Sequence, residues 1–235
     1  MAQETRLTAR RGSLCVYCRL NAATTDDHVP PKNLFGKPRP NTLVTVPSCE
    51  ACNLGASDDD EYFRNMLSLR FDANHPDAVA ARASVMRSLA RPQAAGLRTS
   101  LIHAMREIEM RTPAGLYLGR TAEYDVDVER LDRVVRRTSI GLFYRETGQA
   151  LPLGYHAAAY LLPQVDPAAS DAVTRLANIV NSLLAVPPKF IGPRTVSYRF
   201  RSTPEDPNAS AWLLVFYERV PWLTITAPPD AARTS

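Results

Sequence analysis

The chain has 235 residues, 45% of them hydrophobic and 22% charged, and a formal net charge of +4. That is the balance of a water-soluble globular protein, in one large domain or two small ones. No apolar run approaches the ~20 residues that a membrane-crossing helix needs, and a weakly basic chain permits a nucleic-acid partner without requiring one.

The basic side chains are unevenly placed. Residues 1–40 carry seven of them (Arg6, Arg10, Arg11, Arg19, Lys32, Lys37, Arg39) against three acids, whereas residues 41–75 carry two against six. The four cysteines of the chain fall in two pairs, Cys15-x2-Cys18 and Cys49-x2-Cys52, with Asp27-His28 between them and Asn53 directly after the last. Each short turn presents two sulfurs about 3.5–4 Å apart, the spacing of a tetrahedral Zn²⁺ site, and four sulfurs leave no open position for substrate. The expected zinc is therefore structural. Disulfides would suit a secreted protein, but the stretch MAQETRLTARRGS has no apolar core for a signal peptide, so reduced thiols in the cytoplasm are expected. A second Cys pair and no preceding strand disfavour a thioredoxin-like redox motif.

Along the chain, Thr24–Val29 reads as a short strand ended by Pro30-Pro31, since neither proline can donate to a ladder. A loop rich in Lys, Gly and Pro follows to Pro40, then a β-branched run, Leu43–Val46, and a helical turn from Pro47-Ser48 carrying Cys49, Cys52 and Asn53. Ser57 and Asp60 have the spacing of a capping box, and Asp58–Glu61 suit a positive helix N-terminus rather than a metal site. That helix continues through Tyr62, Met66 and Leu69. Helices are expected over 77–90, burying Val79, Val85, Met86 and Leu89, and over 99–111. Leu116–Val126 alternates like a half-buried strand. The helix Val128–Arg145 buries Leu131, Val134, Val135 and Leu142 and turns Arg130, Arg133, Arg136 and Arg137 to its other face. Strands at Tyr155–Leu162, 194–201 and 211–226 and a helix near 168–184 complete the chain. The expected class is α+β: a small zinc-anchored unit over residues 1–73, and an α+β domain over 74–235 with a mainly antiparallel sheet and helices on one side. Pro92–Gly96 is the best candidate boundary along the chain, and helices from 57 to 91 could belong to either unit.

The order of knuckle, strand with Asp-His, loop, strand and Cys-x2-Cys-Asn on a helix resembles the HNH nuclease family. It is closest to the zinc-anchored, endonuclease VII-like form in which two Cys-x2-Cys knuckles flank the motif and the last position is Asn. The likeness covers about Leu14 to Asp60, and DDHVPPKNLF followed by VPSCEACN is similar to a recurring bacterial and phage subgroup. It implies a treble-clef-like ββα-metal unit with Cys15, Cys18, Cys49 and Cys52 on zinc and His28 as general base. Asp27 and Asn53 would hold a catalytic Mg²⁺ or Mn²⁺, and double-stranded DNA would be cut to 5′-phosphate and 3′-hydroxyl ends. Asn41 corresponds loosely to the middle Asn of the family name and would brace the loop.

The chemistry agrees with these residue types. Phosphodiester hydrolysis needs a proton acceptor near neutral pH, which an imidazole is, and a hard cation held by few protein oxygens, such as a carboxylate and an amide. Strand alternation sends Asp27 and His28 to opposite faces and puts Asp26 on the His28 side, so Asp27 requires a local irregularity and Asp26 is the alternative ligand. Lys32 is a candidate phosphate contact or a solvated loop lysine. Arg133 and Arg137 are candidate nucleic-acid contacts or simply a solvent face. His75, His103 and His156 lack partners at ligand spacing and are expected to be surface or core histidines. The second half could recognise substrate or pair two copies into a homodimer. A zinc module that binds nucleic acid or protein without cutting, and a nuclease for RNA or for particular nucleic-acid structures, are the competing functions.

Overall fold

The computed structural model describes residues 12–41, 43–70, 72–112, 114–162 and 170–228. The expected basic arm with Arg6, Arg10 and Arg11 lies outside the described residues. Strand β1 (Thr25–Val29) pairs antiparallel with β2 (Val44–Ser48) in an unbroken register, Asp27 opposite Val46 and His28 opposite Thr45. Pro47 fits in β2 because its carbonyl turns outward to accept from Val16 N. It therefore stands at a non-hydrogen-bonded pair, where no ladder donor is needed. Helix α1 (Glu50–Leu54) follows, then α2 (Ser57–Leu69) and α3 (Pro76–Leu89).

α4 (Ala95–Ala104) ends where β3 (Arg106–Arg111) begins, and β3 pairs with β4 (Tyr117–Glu123). The helix expected over 99–111 is thus split. Arg-Glu-Ile-Glu-Met-Arg alternates with period two, and cross-strand pairs such as Glu107 with Arg120 favour the ribbon. This ribbon is largely exposed rather than half-buried. In α3, Ala78 and Val85 are the buried positions, whereas Val79 and Met86 face solvent.

Helix α5 (Val128–Thr147) is capped by the Asp127 side chain, which accepts from Arg130 N, and stops at Gly148 in the left-handed region. It buries Leu131, Val134, Val135 and Leu142 as its periodicity requires. The remaining elements are β5 (His156–Leu161), α6 (Ser170–Leu184), β6 (Lys189–Ile191), β7 (Val196–Ser202), β8 (Ser210–Phe216) and β9 (Val220–Ala227). The last strands form an antiparallel sheet in the order β5-β9-β8-β7-β6. The single strand expected over 211–226 is a hairpin turning at Tyr217 and Glu218. Helices cover both faces of this sheet, not one. α5 packs on the side of Trp212, Leu214 and Trp222, while Leu183 of α6 packs on Leu213 and Leu223. Central strands buried on both faces read as continuous apolar runs, which Trp212–Phe216 is.

One core joins the two expected units. Val16, Val29, Val46 and Phe63 belong to the same buried cluster as Trp212, Phe216 and Trp222. The rings of Phe63 (α2) and Phe216 (β8) meet edge to face at 4.9 Å, a contact that contributes about 0.5–1.5 kcal/mol beyond burial. The boundary at 73/74 therefore separates no two cores. No described helix is long and apolar enough to cross a membrane.

The hairpin comes close to α5 at Gly141, where an added Cβ would lie 2.5 Å from Val29 Cγ2. Val29 is buried and β-branched, so it cannot swing aside. Gly141→Ala should destabilise the fold by about 1–3 kcal/mol through overpacking, despite alanine's better helix propensity. A lower denaturant midpoint checks this.

Candidate functional site

The first knuckle is a tight turn in which Arg19 N donates to Cys15 O, with Arg19 itself at φ 57°. The second straddles the end of β2 and the start of α1, with Cys49 in the N-cap position. Together they bring the sulfurs of Cys15, Cys18, Cys49 and Cys52 within 4.8 Å of one another. Cys18 Sγ and Cys49 Sγ are 3.9 Å apart, against roughly 3.8 Å for two sulfurs on a tetrahedral zinc. The four cysteines can hold a zinc ion. Among the described residues, no other cluster of three or more His, Cys, Asp or Glu side chains is close enough to share a metal.

The surroundings favour the thiolates of Cys18 and Cys49. Asn21 Nδ2 donates to Cys49 Sγ, and the Ser48 hydroxyl lies 3.8 Å from Cys15 Sγ. The Cys52 N–H holds the Cys49 thiol down to about 6, and backbone N–H groups of Asn21 and Leu20 lower Cys18. Burial, followed by the neighbouring Cys49, pushes Cys52 up.

β1 distributes the motif by strand alternation, without the irregularity expected at Asp27. Asp27 and Val29 face inward, Asp26 is exposed, and His28 is half-buried on the outer side. The Asp27 carboxylate accepts from Tyr17 Oη at 2.7 Å and lies 3.5 Å from Arg137 Nη1. Tyr17 sits between the two cysteines of the first knuckle, and burial, followed by the Asp27 charge, raises its pKa. Arg137 Nη2 is in turn 2.6 Å from both oxygens of Asp60 on α2. Two carboxylates around one guanidinium leave this partly buried group one negative charge in excess. Burial, only partly offset by Arg137, raises Asp60 to about 6.

Asn53 closes the site from α1. Its Nδ2 donates to Thr25 Oγ1 at 3.0 Å and to the Asp26 carbonyl at 3.3 Å, and Thr25 Oγ1 donates to Ser48 O. Asp26 pairs with Pro47 at a non-hydrogen-bonded position, so its carbonyl turns to the open edge of β1, where Asn53 meets it. His28 has a lowered pKa, through burial first and the Lys32 charge second, with Asp27 and Asp26 acting the other way. The lowered pKa favours the neutral imidazole.

Lys32 is exposed on the loop after His28, as are Lys37 and Arg39. Asn41 is exposed too, and the loop is braced from elsewhere: Gly36 N donates to Asp77, and Arg39 Nε to Lys32 O. His75 is a buried cap of α3, accepting from Asp77 N.

The arginine face of α5 is not an open stripe. Arg130 and Arg133 both bind Asp59, and Arg137 is turned inward to Asp60 and Asp27. Those acids therefore do not form a capping box. α2 starts from Ala56 with no side-chain cap, and Asp59 and Asp60 are interhelical partners. Tyr17, Asp60 and the inward role of Arg137 are what sequence reasoning missed. The available signal was the i, i+3, i+7 recurrence of Arg130, Arg133 and Arg137 opposite a run of acids. Beside this interface a cleft of about 440 Å³, walled by Ala51, Ala56, Val134 and Ile140, reaches Tyr17 and Arg137.

Comparison with protein-family models, curated proteins and solved structures finds no match to this chain.

Because metal and fold are linked at a four-thiolate site, each chain should bind one zinc. Cys49→Ser should lose it and melt at least ~5 °C lower, given that 1 kcal/mol shifts a chain of this size by about 2–4 °C. Metal analysis alongside calorimetry makes the check.

Proposed function

We propose that the chain is a metal-dependent phosphodiesterase of the HNH type that cuts nucleic acid, with DNA as the leading substrate and His28 as general base. The observation that carries this reading is the anchoring of Asn53 to Thr25 and to the Asp26 carbonyl. A helix end fixed by the cysteine cluster is thereby held beside the two residues that precede Asp27-His28. With Nδ2 engaged on β1, Asn53 has its Oδ1 available as a ligand. Tyr17 and Arg137 both address Oδ2 of Asp27, so Oδ1 is the oxygen that would meet a cation. A carboxylate and an amide oxygen form a hard donor set suited to Mg²⁺ or Mn²⁺. Asp60 is a second carboxylate on Arg137, so the guanidinium charge is shared between two acids rather than spent on Asp27 alone.

A bound Mg²⁺ or Mn²⁺ would stabilise charge on the phosphate and leaving oxygens. The protein's own part is proton transfer and positioning. Among the described residues β1 pairs with β2 alone, and at its other edge a phosphate could meet His28 from one face and Asp27 from the other. The neutral His28 imidazole would take the proton of the attacking water. Lys32, Lys37 and Arg39 would attract the polyanion.

The second reading is a zinc-clamped module that binds without cutting. It is favoured by the contacts Asp27 already makes with Tyr17 and Arg137, which a purely structural carboxylate would also make. Incubating supercoiled plasmid with Mg²⁺ or Mn²⁺ separates the two. His28→Ala should keep its zinc and lose nicking by about 10²–10⁴-fold, the usual worth of a general base. Retarded but uncut plasmid with the wild-type protein supports the module instead, and a panel of RNA and branched substrates tests substrate class.

A further inference from the structure

We infer that Arg137 and Asp60 are positioning residues for Asp27, through which helices α5 and α2 set the carboxylate that would hold the divalent cation. This rests on the nuclease reading above and extends it to residues outside the motif.

The Asp27 carboxylate has two oxygens, and the structure commits one of them. Tyr17 Oη donates to Oδ2 at 2.7 Å, and Arg137 Nη1 stands 3.5 Å from the same atom. The guanidinium itself is fixed, its Nη2 lying 2.6 Å from Asp60 Oδ1 and Oδ2. Both side chains are well buried, with 12% and 16% of their surface exposed. Asp27 is more buried still, at 7%. A carboxylate held this way cannot rotate freely, so Oδ1 keeps one direction. Metal-binding side chains are ordinarily oriented by such neighbours, and removing one typically weakens metal affinity about 10–100-fold.

The charges carry a second part of the argument. Arg137 alone beside Asp27 would repel a cation, and Asp60 cancels it. Orientation thus comes without loss of the negative potential that a divalent ion needs. Neighbouring pairs at the same interface do no such work: Asp59 binds Arg130 and Arg133, and neither reaches β1 among the contacts made by α5.

Removing Arg137 alone would leave Asp60 and Asp27 unpaired and confound affinity with folding. The test is the double variant Asp60→Asn/Arg137→Gln, which keeps the net charge and approximate volume while taking away the fixed guanidinium. Mn²⁺ affinity is measured by calorimetry on the zinc-loaded full chain, with zinc content and melting temperature alongside. Asp59→Asn serves as control for a loosened α2–α5 interface. The expected result is Mn²⁺ binding weakened at least ~10-fold in the double variant, with zinc retained and Asp59→Asn close to wild type. Equal Mn²⁺ affinity in wild type and double variant overturns the positioning role and leaves the nuclease reading standing. Equal weakening by Asp59→Asn also overturns it, since the effect would then be general loosening. Absence of Mn²⁺ binding in the wild type removes the underlying reading and this inference with it.

Discussion

Four sulfurs drawn within 4.8 Å of one another constrain everything at this site. They tie a turn at residues 15–18 to the start of a five-residue helix that could not persist alone, because helix nucleation is unfavourable at that length. Each knuckle carries a passenger. Tyr17, between the first two cysteines, reaches Asp27, and Asn53, beside the last, reaches Thr25 and the Asp26 carbonyl. Both passengers address the same strand, so the sulfur cluster fixes β1 from two sides. Without it, the hairpin would be a two-stranded sheet of the kind that is marginal in water.

The rest of the chain holds this unit by burial and charge together. Val29 and Val46 enter the core that Trp212, Phe216 and Trp222 dominate. The polar counterpart runs along one side of α5, where Arg130 and Arg133 meet Asp59 and Arg137 bridges Asp60 and Asp27. Exposed ion pairs contribute little, typically 0–1 kcal/mol. The Arg137 group is buried enough that loss of one partner would cost several times more. A buried ionic link of that kind specifies one docking of hairpin on helix, which apolar contacts alone do less well.

Legibility in the sequence followed the range of the interactions. The cysteine spacing, the β1–β2 pair and the buried stripe of α5 are local patterns, and all were readable. The α4-to-β3 change was not, because residues 99–111 carry a helical and an alternating signal at once and cross-strand pairs from β4 decide between them. The second helix layer was missed for a related reason, since which sheet face α6 covers depends on chain path. Asp58–Asp60 shows the limit most clearly. Acids at a helix start have a sufficient local explanation in capping, and nothing nearby indicates that their partners lie 71 to 77 residues on. Asp27 was legible in part: alternation sends it away from His28, and the unbroken register of β1 keeps it there.

The pairing of α5 with α2 also moves the positive surface of the molecule. Arg130 and Arg133 share Asp59, and Arg137 is turned inward to Asp60 and Asp27, so this face offers a polyanion less positive charge than an open stripe of arginines would. Lys32, Lys37 and Arg39 remain exposed on the loop after His28, and the charge of Lys32 is near enough to lower the histidine's pKa. Exposed cations and the His28 imidazole thus share the outer side of one hairpin. Of the nearby acids, Asp26 shares that outer side, whereas Asp27 is turned inward and Asp59 and Asp60 are taken up by another helix. Under the proposed reading, a nucleic acid would be drawn to the loop and to the open edge of β1, and α5 would act from behind, holding the carboxylate rather than the substrate.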